Sequence, residues 1–372
     1  MTRLYLDHNA TSPLRPACRE AMLAVLGAPL NASSVHAEGR RARGVVDGAR
    51  RALAARMGVT PNGVIFTGGG TEGDNAGIRG LVRGPARVRR LLIAATEHAA
   101  IHAAAARAGV PVQAVPVLRD GTLDLAALEA ACAGEGPVGL ALMLANNETG
   151  VVHPVAEAAR IVHAAGGYVL CDAVQALFKV EFDRESLGAD VLVLAAHKAG
   201  GPQGIGAMIL RPGLGLDPFL VGGGQEENRR AGTHDVAAVA GFRALCEAAS
   251  PSDYEHCASV RDEIEAGLPG GVTVWGQGAP RLPNTTSLTA PGFSSETQAL
   301  TMDLAGIAVS AGSACSSGKL KPSGVLTAMG ATEEEARCAL RVSTGWDTPS
   351  DAGARFLRAW TTEHERIARR AA

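Results

Sequence analysis

The stretch DVLVLAAHKAGGP, residues 190–202, decides the fold, because an apolar run typical of a buried strand passes directly into a polar, glycine-rich segment. Similar apolar runs alternate with alanine-rich helical patterns along the first 210 residues: 64–67, 90–94, 140–144, 167–171 and 206–210. Continuous apolar strands separated by helices are typical of a mostly parallel sheet that is covered on both faces. The sequence therefore predicts an α/β fold whose ligands bind at the carboxyl ends of the strands.

The composition bounds the class of protein. A chain of 372 residues suggests about two domains, and 47% hydrophobic residues with only 3% aromatic residues predict a mostly aliphatic core. A formal net charge of -2 offers no basic field, so neither nucleic acid nor an acidic membrane surface is expected as a partner. The seven cysteines show no paired metal-ligand spacing, which argues against a structural zinc site.

The predicted location is the cytoplasm. The amino-terminal residues include no apolar signal region, and no stretch approaches the roughly 18 apolar residues of a membrane-spanning helix. An odd number of cysteines also favours a reducing compartment.

A change of pattern near residue 250 predicts a second domain. An alanine-rich helix over residues 236–249 ends before Pro251, since proline cannot continue a helix. Beyond it the sequence predicts a helix near residues 254–268 and strands over 272–275 and 285–288, with a connection rich in glycine and proline between the two strands.

Two charged residues follow predicted strands directly. Lys198 lies at the ligand edge of the sheet, where burial and cationic neighbours lower the pKa of a lysine and let the neutral amine react with a carbonyl. A lysine in such a place is more often a solvated residue that opens a loop. Asp172 can pair with the protonated pyridine nitrogen of pyridoxal 5'-phosphate (PLP), although an aspartate also caps helices.

Three further segments follow strands in the same way. The run GGGTE, residues 68–72, opens a helix and can bring backbone N–H groups to a phosphate, or it can be a plain helix entry. His98 can stack on a cofactor ring or be a structural histidine, and NNETG (146–150) can bind a ligand or hold its own turn. Each signal is modest alone, but their succession at the strand ends favours a PLP site.

Cys315 lies in VSAGSACSSG, residues 309–318, where every neighbour is small or polar. No residue of this run can bury the thiol in a core, and Gly312 and Gly318 allow backbone conformations that other residues avoid. A thiol on such a loop can ionise and attack, whereas a buried structural cysteine is inert. The alternative is an incidental cysteine in a flexible loop, since local cysteine signatures are specific to families.

With these segments the chain resembles the cysteine desulfurases of the NifS/IscS type, in the class V aminotransferase group of fold-type I PLP enzymes. The resemblance runs nearly from end to end. The segments that carry it are YLDHNAT (5–11), NASSVH (31–36), TEGDN (71–75), TEH (96–98), NNETG (146–150), DAVQ (172–175), HK (197–198), RAGT (230–233), SAC (313–315) and LRVS (340–343).

The resemblance implies the architecture of a fold-type I PLP-dependent transferase. A large domain is expected around a mostly parallel seven-stranded sheet, beside a smaller α+β domain. Residues 1–14 are expected to join the small domain, 15–250 to form the large PLP-binding domain, and 251–372 to form the small carboxyl-terminal domain that carries the cysteine loop.

The resemblance also implies how PLP would be held. Lys198 would bind the cofactor covalently and remove the substrate's α-proton, and His98 would stack on the ring as a second catalytic residue. Asp172 would pair with the pyridine nitrogen, and Gln175 would hydrogen-bond the ring hydroxyl. Further cofactor contacts are expected from Gly70, Thr71, Asn147, His197 and, from the partner subunit of a homodimer, Thr233.

The substrate implied by the resemblance is L-cysteine. Asn147 and Arg341 would bind its carboxylate, because a guanidinium matches a carboxylate with two parallel hydrogen bonds. The Cys315 thiolate would take the substrate sulfur as a persulfide and leave L-alanine. The sulfur would pass to an acceptor, either an iron–sulfur scaffold or a tRNA-thiolation protein. No intrinsic metal is expected, although Cys315 can ligate a transferred iron–sulfur cluster.

Two other activities stay open at this point. A selenocysteine lyase or another class V enzyme such as an aminotransferase would use the same cofactor, but transamination needs no thiol at residue 315. A non-catalytic binding module would not need the combination of Lys198, Asp172 and Cys315.

The chain departs from the family pattern at several positions. Ala195 and Ala196 stand where the family often has Ser-Gly, so a serine hydroxyl that would bind phosphate is missing. Ala311 replaces a common serine, and Gln203 replaces a frequent lysine. The spacing from Cys315 to Met329 is that of the family branch with a long cysteine loop.

Overall fold

The structure of the protein is a computed structural model that describes residues 3–134, 136–311 and 322–371. Up to the end of the large sheet the elements are β1 (Leu4–Tyr5), α1 (Pro16–Leu26), α2 (Ala37–Arg56), β2 (Val64–Thr67), α3 (Gly70–Arg83), β3 (Arg90–Ala94), α4 (Ala99–Ala106), β4 (Val112–Val115), α5 (Leu125–Cys132), β5 (Val138–Met143), α6 (Val155–Ala164), β6 (Tyr168–Asp172), α7 (Arg184–Leu187), β7 (Val191–Ala195) and β8 (Gly206–Leu210). Beyond it are α8 (Val236–Ala248), α9 (Glu255–Ala266), β9 (Thr273–Val274), β10 (Thr285–Thr289), α10 (Ser295–Leu304), β11 (Ile307–Ala308), β12 (Ser310–Ala311), α11 (Gly324–Ala328), α12 (Glu333–Arg337), β13 (Ala339–Ser343) and α13 (Ala352–Ala371).

The large sheet has seven strands in the order β2-β8-β7-β6-β5-β3-β4. Strand β8 is antiparallel to both of its neighbours, and the pairs from β7 to β4 are parallel. The predicted α/β class with a mostly parallel seven-stranded sheet is therefore confirmed. Strand β4 was not predicted, because three of its four side chains are exposed and prolines flank it on both sides, so it lacks the apolar run of a buried strand.

Two apolar cores lie on the two faces of this sheet. Side chains alternate between the faces along a strand, so Leu192 and Leu194 of β7 join one core while Val191 and Val193 join the other. The first core packs under α2, α5, α6 and α8, and the second packs under α3 and α4. Both faces are covered, which explains why the strands are apolar throughout. Within the described ranges, no helix is both long enough and apolar enough to cross a bilayer.

Helix α3 packs closely on the sheet where its inward face carries glycine. A Cβ on Gly73 would lie 2.6 Å from Val193 Cγ1, and a Cβ on Gly77 would lie 2.4 Å from Leu170 Cδ1. Any side chain at either position would push the helix outward. The glycines therefore determine how closely the amino terminus of α3 approaches the carboxyl edge of the sheet.

The smaller sheet is antiparallel and has the order β12-β13-β10-β9. The core beside this sheet contains three fully buried aromatic side chains, Phe293, Phe356 and Trp360. The cores on the large sheet are mostly aliphatic. Strand β1 pairs with β11 in parallel, so the amino-terminal segment is joined to this part of the chain. That pairing agrees with the predicted domain boundaries near residues 14 and 250, which stay predictions.

A buried histidine predicts how the fold responds to acid. His153 is 2% exposed, and neither ring nitrogen has a hydrogen-bond partner among the described residues. Burial lowers the pKa of His153 to about 4, from an ordinary value of 6.5. Between these values the unfolded chain binds a proton that the folded chain does not, so stability falls as the pH falls from about 6.5 to about 4.

We expect His153→Leu to flatten this acid dependence. Wild-type protein should lose about 3 kcal/mol of unfolding free energy through His153 over that pH window, and the variant should lose correspondingly less. Urea unfolding at pH 7 and at pH 4.5 measures the difference. An equal loss in both proteins would show that His153 is protonated in the folded state as readily as in the unfolded chain.

Candidate active site

One cavity of about 540 Å³ lies at the carboxyl edge of the large sheet. Residues that follow β2, β3, β5, β6 and β7 line it, together with the amino-terminal segment and residues of α11 and β13. The predicted site residues that the structure brings together there are Gly70, Thr71, His98, Asn147, Asp172, Gln175, His197, Lys198 and Arg341. Their chemical roles stay predictions, but their convergence on one cavity is a property of the fold.

Lys198 lies in a short 3₁₀ turn, Ala196–Ala199, that follows strand β7. The Lys198 ammonium donates hydrogen bonds to the backbone carbonyls of Asn9 (2.7 Å) and Ala10 (2.8 Å). Ala195, at the end of β7, lines the cavity without a polar side-chain atom, as its identity dictates. The turn thus brings the lysine amine to the cavity, next to the amino-terminal segment.

Asp172, at the end of β6, is a buried carboxyl group that faces the same cavity. Burial raises the pKa of Asp172, and the backbone N–H of Val174, which donates to Asp172 Oδ1 over 2.9 Å, opposes that shift together with the nearby His98 and Lys198. A buried carboxylate is costly without a cation or a proton. The site therefore suits a ligand that brings a positive charge to Asp172.

Two more buried acids surround Asp172, and the sequence analysis did not single them out. Burial and the nearby Asp172 raise the pKa of Asp74, and burial raises the pKa of Glu97. Glu97 Oε1 accepts a hydrogen bond from the Met143 backbone N–H at 2.7 Å. Asp74 Oδ1 and Glu97 Oε2 are buried carboxyl oxygens that have no partner among the described residues.

Two histidines complete the wall around the lysine. His98 caps helix α4, where its Nδ1 accepts a hydrogen bond from the Ala100 N–H at 3.2 Å. This contact fixes the ring at the end of β3, facing the cavity. His197 Nδ1 lies 3.2 Å from Thr11 Oγ1, and burial together with Lys198 lowers the pKa of His197 to about 4. His197 is therefore neutral at physiological pH.

The amino terminus of α3 forms a glycine-lined cradle at one end of the cavity. A Cβ on Gly70 would lie 2.7 Å from Val174 Cγ2, and a Cβ on Gly206 would lie 2.8 Å from the Gly69 Cα. Gly69 has a φ of 146°, in the region that favours glycine. Backbone N–H groups at this helix terminus, with the Thr71 hydroxyl, form a site suited to a phosphate.

Arg341 lies on the opposite wall, on β13. Its Nη2 donates to Asp7 Oδ1 at 2.8 Å, and its Nη1 donates to the Asn147 carbonyl at 2.9 Å. The Arg341 Nε is buried and has no partner among the described residues. Two of the five N–H donors of the guanidinium make these contacts, so the group is held in place while further donors can serve a ligand.

Asn9 joins the two walls of the cavity, and the sequence analysis quoted it only as part of a family segment. Its carbonyl accepts from Gln175 Nε2 (2.9 Å) as well as from Lys198. Its side-chain amide donates to Thr285 Oγ1 at 2.9 Å, and its Oδ1 accepts from Asn284 at 3.1 Å. The sequence signal was its place two residues after Asp7 in YLDHNAT, but these partners lie at least 138 residues away.

Two predicted residues do not belong to this constellation. Thr233 is exposed and does not line this cavity, and its contact with the partner subunit's cofactor stays a prediction. Cys315 lies outside the described residues. The remaining six cysteines are buried, and burial raises the pKa of each thiol: Cys18, Cys132, Cys171, Cys246, Cys257 and Cys338.

The residues around the cavity fit PLP at three points. The glycine cradle accepts a phosphate, Asp172 suits a protonated ring nitrogen, and Lys198 provides the amine that carbonyl chemistry requires. These three features lie on one cavity of about 540 Å³, which is large enough for the cofactor and a small amino acid.

Comparisons with known proteins point the same way. The family model "Aminotransferase class-V" matches residues 4–351. A cysteine desulfurase of Cereibacter sphaeroides is 37% identical over 94% of this chain and 93% of its own length. An IscS-like cysteine desulfurase of Mycobacterium tuberculosis is 37% identical over 92% of this chain and 91% of its own. The crystal structure of a NifS-like protein from Rickettsia africae superposes with a TM-score of 0.89 at 30% identity, covering 98% of this chain and 99% of the other.

Proposed function

Because the chain belongs to the class V aminotransferase family, and within it to the cysteine desulfurases of the NifS/IscS type, we propose that it uses PLP to convert L-cysteine to L-alanine with a persulfide on Cys315. The observation that carries the proposal is the convergence of Lys198, Asp172 and Arg341 on one cavity. Each serves a different need of the reaction: an amine for the cofactor, an anion for its ring and a cation for the substrate carboxylate.

The chain's own residues would hold PLP from three sides. The amino terminus of α3, with Gly70 and Thr71, would bind the phosphate together with His197. Asp172 would bind the ring nitrogen, and Lys198 would bind the aldehyde carbon. When bound, PLP supplies the electron sink that makes the substrate's α-proton removable. His98, fixed by its contact with the Ala100 N–H, would cover the ring face.

Four residues would act on the substrate. Arg341, with Asn147 beside it, would bind the carboxylate of the substrate and so fix the orientation of the substrate's side chain. Lys198 Nζ would move the proton at the substrate's α-carbon. The Cys315 thiolate would then attack the substrate sulfur: the new S–S bond forms, the substrate C–S bond breaks, and the carbon skeleton leaves as alanine once it is protonated. Sulfur transfer to Cys315 is balanced without an outside oxidant.

The fate of the sulfur is the next step of the proposal. The persulfide would pass to an acceptor protein, either an iron–sulfur scaffold, whose cluster Cys315 can ligate in transit, or a tRNA-thiolation protein. The burial of the other six cysteines supports Cys315 as the carrier, since a buried thiol with a raised pKa neither attacks nor meets a partner.

A homodimer completes the proposed site. Thr233 is exposed and outside the cavity of its own protomer, so it is available to reach the phosphate of the partner subunit. The same loop exposes Phe219, Leu220 and Val221, the last to 80%. Apolar side chains of this size on one surface segment are typical of a protein contact.

The decisive experiment follows both products in one preparation. The full chain, reconstituted with PLP and given L-cysteine and a thiol reductant, should release alanine and sulfide in equal amounts. Without the reductant, mass spectrometry should find one added sulfur on the peptide that contains Cys315. Alanine without sulfide, or sulfur on another cysteine, would contradict the proposal. A parallel assay with selenocysteine as the substrate distinguishes a selenocysteine lyase from a cysteine desulfurase. Light scattering should give twice the chain mass, as a homodimer requires.

Replacing Arg341 tests the proposed carboxylate contact. Arg341→Ala should raise the KM for cysteine about 100-fold and change kcat less, because two charge-assisted hydrogen bonds to the substrate are lost in every bound state. Arg281→Ala is the matched control, since it removes a comparable part-buried ion pair, Arg281 Nη1 to Glu265 Oε1 at 2.8 Å, outside the cavity. A KM that is unchanged in Arg341→Ala, or raised equally in both variants, would remove Arg341 from substrate binding.

A further inference from the structure

Lysine is rare in this chain, and its placement is selective. Only four of the 35 lysines and arginines are lysines, at residues 179, 198, 319 and 321. Of these, the described part of the chain contains Lys179 and Lys198, and both lie at the cavity or one contact from it. A chain that uses arginine for nearly every other cation therefore has a second lysine beside its reactive one.

Lys179 is buried to 2% exposure, and its ammonium has two acceptors. It donates to Gln175 Oε1 at 3.0 Å and to Asn9 Oδ1 at 3.2 Å. Both acceptors are neutral amide oxygens, which repay only part of the cost of taking an ammonium out of water. Burial, and then the nearby Lys198, lower the pKa of Lys179 to about 7. Lys179 is thus a poor choice for stability alone.

The backbone before Lys179 is also strained. Phe178 has a φ of 58°, in the left-handed region that a bulky L-residue rarely adopts, and it is buried. Such a conformation costs on the order of 1–3 kcal/mol and persists where the surroundings enforce it. It turns the chain directly before Lys179, which lies four residues after Gln175 and contacts it.

Lys179 and the Asn9 carbonyl together decide which way the Gln175 amide faces. In its charged form Lys179 has three donors and no acceptor, so the amide atom that it then touches is the oxygen. The amide nitrogen then faces the other way, where Nε2 donates one hydrogen to the Asn9 carbonyl at 2.9 Å. Gln175 lines the cavity, and its second amide hydrogen is left for a ligand there.

Asn9 transmits the same constraint to the reactive lysine. Its carbonyl accepts from both Gln175 Nε2 and Lys198 Nζ, while its side-chain oxygen accepts from Lys179. Lys179 therefore binds one side-chain oxygen of Gln175 and one of Asn9, and both of these residues line the proposed cofactor site. A methionine would fill the same space but donate nothing, and an arginine would bring a larger, planar head.

We propose that Lys179 is a positioning residue that fixes the Gln175 amide with its N–H, and not its oxygen, toward the ring oxygen of PLP. This inference rests on the proposed function, since it assumes that PLP occupies the cavity. An anionic ring oxygen is stabilised by an N–H donor and repelled by an amide oxygen. Without Lys179 the amide keeps only the contact of its nitrogen with the Asn9 carbonyl, so it can turn more readily and present its oxygen in place of its N–H.

The test is a double-mutant cycle on PLP binding, with no cysteine present. Lys179→Met, Gln175→Ala and the double variant are prepared as full chains, freed of cofactor and titrated with PLP. The same samples are then titrated with pH while the visible absorption of the bound cofactor is recorded. We expect Lys179→Met to weaken PLP binding about tenfold. It should also move the absorption midpoint upward by about one pH unit, because the ring oxygen becomes more basic.

The cycle separates positioning from a structural or direct electrostatic role. In the Gln175→Ala background, Lys179→Met should cause no further change in either quantity, since there is no amide left to orient. An equal effect in both backgrounds, or no effect in either, would overturn the inference. If Lys179→Met fails to fold, as thermal unfolding of the apo protein would show, Lys179→Gln is measured in the same two backgrounds. The inference then requires that its effect be lost in the Gln175→Ala background, and an equal effect in both backgrounds overturns it.

Failure of this inference is distinguishable from failure of the proposed function. Wild-type protein that binds no PLP would contradict the proposed function itself. Wild-type protein that binds PLP, with a Lys179 variant that matches it in affinity and absorption midpoint, would contradict the role of Lys179 alone.

Discussion

Lys198→Ala is expected to lower the rate of alanine formation from cysteine at least about 1,000-fold. Two functions are lost together, because the same amine would bind the cofactor and move the α-proton. Lys198 comes from the turn after β7, and its two backbone acceptors, the Asn9 and Ala10 carbonyls, cannot take up a proton in its place.

Borohydride reduction provides the direct measurement. In wild-type protein it should fix the cofactor mass on the peptide that contains Lys198, whereas the variant should yield no modified peptide. Apo unfolding temperatures of the two proteins check that the fold is intact. A variant that keeps more than a tenth of the wild-type rate would show that another group performs both functions.

Cys315→Ser is expected to reduce sulfide release from cysteine to the background rate while the protein keeps its bound PLP. A hydroxyl oxygen neither ionises near neutral pH nor forms a stable bond to the substrate sulfur, so the attack and the carrier are both lost. The cofactor residues are on other segments of the chain, so the absorption of bound PLP should be unchanged.

A second cysteine provides the matched control for this variant. Cys132 ends helix α5, is buried and does not line the cavity, and burial raises its pKa. Cys132→Ser should therefore release sulfide at the wild-type rate. Sulfide release by Cys315→Ser at the parent rate would assign the persulfide to a different thiol.

The candidate site was predictable to the extent that it depends on strand ends. Apolar runs identified the buried strands, and the carboxyl ends of parallel strands share one edge, so His98, Asn147, Asp172 and Lys198 had to lie near one another. The amino terminus of α3 was predictable for the same reason, because it follows β2 directly. These residues needed no knowledge of contacts between distant parts of the chain.

The residues that were missed are polar groups whose partners are far away in sequence. Asn9 meets Gln175 and Lys198 across more than 160 residues, and Lys179 becomes a buried ammonium only because those amides surround it. Glu97 stands next to His98 in the sequence, whereas its partner, the Met143 N–H, lies 46 residues away. A local pattern contains no signal for such pairings, since it records neither burial nor distance.

The amino-acid sequence alone determined the α/β class, the large sheet's ligand edge and the identity of the candidate lysine, aspartate and thiol. Strand periodicity and glycine placement are local properties, and they act through sterics between near neighbours. Tertiary structure alone decided that Arg341 is held by Asp7, that six of the seven cysteines are buried, and that Lys179 points its charge at Gln175. Those outcomes depend on how two sheets and an amino-terminal segment pack, and packing sets the burial, the hydrogen-bond partners and hence the pKa of each group.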